Sequence, residues 1–98
     1  MSKWTLIKES IQFALNQYKA EFDDETINTI HHYINHDEYE MAFEGLFIEI
    51  MKLNISLKID LETYWNIAES LNLSNGTFFD PDFWYKFQIF YKNNINSK

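Results

Sequence analysis

DEYEMAFEGLFIEIMKL, residues 37–53, is the most apolar run of the chain and the one on which the fold turns. Tyr39, Ala42, Phe43, Leu46, Phe47, Ile50 and Leu53 recur at steps of three and four, the period of one broad helix face. The run therefore reads as a central helix. Gly45 interrupts it, and a glycine inside a helix costs about 1 kcal/mol of propensity against alanine. A close crossing with another helix at Gly45 is the packing reason expected for it.

The flanking segments repeat the pattern. From Lys3 to Tyr18, Trp4, Ile7, Ile11, Ala14, Leu15 and Tyr18 form one stripe, with Lys8, Gln12 and Lys19 elsewhere. Asp23 or Asp24 suits the N-terminus of a second helix whose stripe is Ile27, Ile30, His31 and Ile34. After an irregular NISLKID, Asp60 can cap a fourth helix carrying Leu61, Tyr64, Trp65, Ala68 and Leu71, which NLSNG ends. Asp80 and Pro81 form a cap and first-turn pair for a fifth helix to about Lys92. FWYKFQIFYK, residues 83–92, also alternates as a strand would, and no other segment offers it a comparable partner, so helix is the expectation and β the alternative. The expected fold is all-α, a single compact bundle of about five helices in one domain spanning residues 1–98.

Composition agrees. The chain is 46% hydrophobic and 18% aromatic, enough to bury a core, and two glycines and one proline leave little room for hairpins. It has no cysteine, hence neither disulfides nor thiolate chemistry, which suits the cytoplasm. MSKWTLIKES is not expected to be a secretion signal, and nowhere do ~18 apolar residues run together to span a membrane. Eight lysines and no arginine stand against fifteen acids, a net charge of −7. Direct nucleic-acid binding is disfavoured, and a basic protein partner is favoured.

HHYINHDEYE, residues 31–40, holds three histidines and three carboxylates. His31 belongs to the apolar stripe of the second helix and is expected to be partly buried. His32 and His36 lie one helical turn apart, as two ligands of one zinc would, but a site needs a third ligand, and Asp37 or Glu38 could supply it only through a sharp turn. No catalytic motif, phosphate loop or HExxH pattern is present, so neither an enzyme nor a cofactor is expected. Asp37 and Glu40 form a D-x-x-E pair resembling a capping box. Asp37, Glu40 and Glu44 lie along one helix edge and read as an acidic docking strip. GTFFDPDFWYKF supplies a second candidate patch at Asp80, Asp82, Trp84 and Tyr85, where aromatics stand beside acids.

Over NHDEYEMAFEGLFIEIMKLNISLKIDLETYWNIAESLNL, about forty residues, the chain resembles small bacterial immunity proteins of the MafI type and of contact-dependent growth inhibition (CdiI). The resemblance rests on Glu38 and Tyr39 opening a helix, then Ala42, Glu44 and Leu46, an Ile55-Ser56 turn, and a helix with Ile67, Ala68 and Leu71. The family usually has Gly where this chain has Asp37, and Asp tolerates the left-handed backbone better than most residues. The resemblance implies a cytoplasmic antitoxin that binds one cognate toxin, often covering a nuclease active site. Contact residues differ with each toxin and are not carried over. The alternatives are an acidic helical adaptor or regulator of another basic protein and, third, a small metalloenzyme at His32 and His36. Oligomeric state is not readable from the sequence.

Overall fold

The apolar periods become five α-helices in the computed structural model: α1 Lys3–Tyr18, α2 Asp24–Asn35, α3 Tyr39–Lys52, α4 Leu61–Ser70 and α5 Phe83–Ile95. The structure describes residues 2–95, and among them there is no strand. Two single 3-10 turns, Lys19–Glu21 and Leu73–Asn75, follow α1 and α4. None of the described helices is long and apolar enough to cross a membrane.

Each start has a local cause. The Ser2 hydroxyl accepts the Thr5 amide at 3.1 Å, and the Asp23 carboxylate accepts the Thr26 amide at 2.8 Å, satisfying donors that the first helical turn leaves free. Hydrogen bonding from the Thr26 side chain, then from its amide, holds the Asp23 carboxyl below the usual range. Asp60 stands at the N-cap of α4, but its carboxylate takes the Thr63 hydroxyl instead of a backbone amide. α5 begins later than the Asp80-Pro81 pair suggested. The Asp80 carboxylate accepts the Asp82 amide and its carbonyl accepts the Phe83 amide, so Pro81 sits in a turn and Asp82 bonds the Lys86 amide at the helix entrance.

The turn from α2 to α3 settles the reading of HHYINHDEYE. Asp37 has φ 58°, in the left-handed region; its amide donates to the Ile34 carbonyl, and the Glu38 amide reaches back to Tyr33 at 2.9 Å. Those two bonds make a Schellman ending, where glycine is the usual occupant and aspartate the substitute. Asp37 thus adopts the left-handed conformation that aspartate tolerates. The capping box is not: Glu38 stands at the N-cap of α3 without a side-chain bond, and Asp37 instead accepts the Tyr39 hydroxyl at 2.9 Å. A residue that ends the preceding helix lies too early to cap the next one.

α3 lies at the centre and packs against α1, α2 and α5, while α4 packs on α5. Phe43 and Phe47 stack at 4.6 Å, and Phe87 meets both edge-on at 5.7 and 5.4 Å. Each fully buried side chain of this size contributes roughly 1.5–3 kcal/mol by leaving water. Two tyrosine hydroxyls tie distant segments: Tyr64 donates to the Ser10 carbonyl at 2.7 Å, and Tyr18 accepts the Lys58 amide at 2.9 Å. Burial, reinforced by Asp60, pushes the Tyr64 phenol up to about 12, which keeps its proton in place for that bond.

Two packing expectations fail. Trp4, placed in the stripe of α1, is 50% exposed and stacks on Tyr39 at the outer end of the helix. Gly45 marks no helix crossing: a Cβ there would meet only Phe79 Cε2, at the ordinary distance of 3.9 Å, and its φ is not positive. The backbone does not require glycine. Gly45→Ala is therefore expected to stabilise the protein by roughly 0.5–1 kcal/mol, read as a higher urea midpoint at unchanged slope; a loss of stability would show that Phe79 cannot accommodate the added methyl.

Candidate protein-binding surfaces

The two acidic stretches picked out in the sequence meet at Glu44. Its carboxylate is fully buried and accepts three consecutive backbone amides from the loop before α5: Phe78 at 2.6 Å on Oε1, and Phe79 at 3.0 Å and Asp80 at 2.8 Å on Oε2. Successive N–H groups in a turn form a concave anion seat, and here the central helix supplies the anion. Glu44 is thus withdrawn from the docking strip. Of the three strip residues Glu44 alone is enclosed, because the loop before α5 lies over that side of α3.

The remaining sequence-predicted residues divide into free and engaged. Asp37 is exposed, with one carboxylate oxygen on the Tyr39 hydroxyl; that bond, ahead of burial, raises the Tyr39 phenol above its ordinary range. Glu40 is partly buried. Asp80 is engaged rather than open, since Lys86 Nζ sits 2.7 Å from its Oδ2 and Oδ1 takes the Asp82 amide. Trp84 packs inward against Trp65 at 5.0 Å and Phe87 at 5.8 Å, so it supports the surface rather than forming it. Asp82 is exposed, and Tyr85 is 67% exposed.

The structure adds two rings that were not selected. Phe78 and Phe79, whose amides bond Glu44, hold their side chains outward at 57% and 46% exposure. Their backbone is tied from within while the rings face water. Phe79 lies 5.8 Å from the Tyr33 ring and helps to wall a cleft of about 430 Å³ between α2 and α3. Asp23, Glu25 and Glu49 also line this cleft, Gly45 borders it, and no lysine does. The sequence signal was available in Gly45, a helical glycine with Ile48 and Glu49 three and four residues on, but it pointed equally to a packing contact.

His32 and His36 face each other with ring centroids 4.2 Å apart, and His36 Nδ1 lies 2.8 Å from the His32 carbonyl. His31 is partly buried, as its place in the stripe of α2 implied. Among the described residues, no three His, Cys, Asp or Glu side chains gather where they could hold a metal ion.

Fold and surface together define a small helical bundle with an acidic exterior and exposed aromatic rings. Comparison with family models, with curated proteins and with solved structures finds no match to this chain.

Two outcomes follow from the internal bonds. Glu44→Gln places an amide donor where an acceptor is needed and is expected to destabilise the protein by roughly 1–3 kcal/mol, with faster hydrogen exchange at the Phe78, Phe79 and Asp80 amides; unchanged exchange would mean the loop holds without the carboxylate. The Lys86 contact, then the Asp82 amide, lowers the Asp80 carboxyl, and Asp80 in turn raises Lys86. The pair's contribution is accordingly complete between the unfolded-state pKa values, about 3.9 for Asp and about 10.4 for Lys. It is lost as pH falls through the lowered Asp80 value or rises through the raised Lys86 value. Lys86→Met is expected to move the Asp80 midpoint in an NMR titration upward.

Proposed function

We propose that this chain is an immunity protein: in the cytoplasm it binds one cognate toxin, a basic nuclease domain of the RNase kind from a contact-dependent or polymorphic toxin system, and neutralises it stoichiometrically by covering its active site. The observation that carries this reading is the pairing of exposed Phe78, Phe79 and Tyr85 with a backbone tied down by Glu44, beside the exposed acid Asp82. Large rings held in water at fixed positions, bordered by carboxylates, have the make-up of a binding hot spot. Ordering that loop in advance removes part of the entropic cost of association.

Charge supports the same partner. A nuclease must grip phosphates and so presents a basic cleft, and a net charge of −7 without any arginine attracts such a cleft over a distance. The resemblance over about forty residues around α3 and α4 to MafI-type and contact-dependent growth inhibition immunity proteins adds the biological setting. The contact residues are Asp37, Glu40, Asp82, Tyr85, Phe78 and Phe79, with Asp80 and Trp84 behind them. No cofactor takes part.

Affinity capture of the tagged chain from its source strain, at low and high salt, tests the reading. A retained nuclease-type protein whose toxic domain arrests growth alone, and no longer does so when this chain is co-expressed, is the expected outcome. Asp37→Lys with Asp82→Lys should weaken that complex more than about tenfold, through association rate and salt dependence, while circular dichroism stays unchanged. Capture of a housekeeping protein instead, with no toxicity to relieve, would overturn the proposal.

A further inference from the structure

The lining of the cleft between α2 and α3 includes none of Asp37, Glu40 and Tyr85. Its border contains Gly45, and the space above that glycine is open apart from the Phe79 ring at 3.9 Å. Since neither backbone angle nor packing requires glycine there, almost any other residue would favour α3 more. What glycine does uniquely is leave the cleft empty.

The cleft is chemically one-sided. Ile48 and the tilted rings of Tyr33 and Phe79 supply apolar wall, while Glu25 and Glu49 supply negative charge. One of its acids, Glu49, is met by Lys52 at 3.2 Å, a lysine whose own side chain is 68% exposed. An exposed pair of that kind is weak and is readily exchanged for another cation. A side chain with an apolar stem and a planar cationic head matches this environment: the stem lies along Gly45 and Ile48, and the head stacks on a ring and faces a carboxylate.

We infer that this cleft is a docking site for an arginine-bearing segment of a protein partner, with one arginine seated over Gly45. The inference rests on the reading of the chain as a binder of a basic protein, and deepens it by placing an anchor point that none of the acidic-strip residues provides. A protein segment fits better than a free amine because the cleft has apolar wall for a side-chain stem, Ile30 and Ile48 beside the rings, and borders the solvent-exposed Phe79.

The test is an NMR titration of the isotope-labelled full chain with a capped Leu-Arg-Leu-Arg-Leu peptide, beside a Glu-for-Arg peptide and spermidine. The expected result is shifts concentrated at the amides of Thr29, Tyr33, Gly45 and Glu49, reduced by salt, absent with the Glu peptide, and weaker with spermidine. Gly45→Met, which fills the cleft with a better helix former, should raise the dissociation constant at least about tenfold. Glu25→Lys, at an exposed position, repeats the test by charge alone should Gly45→Met alter the fold. Shifts located elsewhere, no shifts at all, equal binding by the variants, or tighter binding of spermidine would overturn the inference. The toxin-capture experiment is scored separately: a captured nuclease bound equally well by Gly45→Met defeats the cleft and leaves the immunity reading standing, whereas cleft binding with no nuclease captured does the reverse.

Discussion

A single buried carboxylate ties the loop before α5 to the central helix. The segment between α4 and α5 contains only a 3-10 turn at Leu73–Asn75, and beyond Leu71 and Leu73 it has little to bury. Such a segment has unpaired backbone donors and few apolar contacts with which to oppose its conformational entropy. Glu44 meets three of those donors at once from the central helix. Placing residues 78–80 places Asp80, whose carbonyl and carboxylate shape the turn into α5, and so sets where Phe83 and Phe87 enter the core. A charge at the centre therefore controls an aromatic core at the side.

Most helices were legible because their period is strong and their ends carry specific residues. Lys3–Tyr18 is the span that the stripe of α1 implied, and Asp23 caps α2 as its position suggested. The ambiguity at residues 83–92 has a physical origin. Phe83 and Phe87 enter the core, Trp84 and Tyr91 pack on Trp65, and Tyr85 and Ile89 face solvent. Three faces of one helix each carry large apolar residues, and that superposition mimics the alternation of a strand.

Glu44 was illegible for a different reason. Its partners are backbone amides, which leave no trace in residue identity, and its neighbours in type, Asp37 and Glu40, suggested solvent. The one clue lay further along: Glu44, Ile48 and Met51 follow the helical step, and the two apolar members pack against the core. A carboxylate in line with Ile48 and Met51 belongs to a second covered face and not to a charged edge. Trp4 shows the opposite error, since a residue in register with a buried stripe at the very end of a helix can lie beyond the neighbour that would cover it.

The acids of this chain act at different ranges, which limits what net charge explains. Glu44 is enclosed, Asp23 and Asp60 organise helix starts, and Asp80 is matched by Lys86, so none of these is available for a specific new ion pair without a loss inside the fold. They still count toward the longer-range field, which follows the sum of −7 rather than the local bonding and which salt screens over a Debye length of about 8 Å. Attraction of a basic partner thus depends on all fifteen acids, whereas choice among basic partners falls to the few groups free at contact. Around the exposed rings those groups are sparse, with Asp82 beside Tyr85 and Glu25 and Glu49 near Phe79. Sparse charge beside rigid aromatic surface makes selectivity depend on shape, and shape is what the buried Glu44 carboxylate maintains.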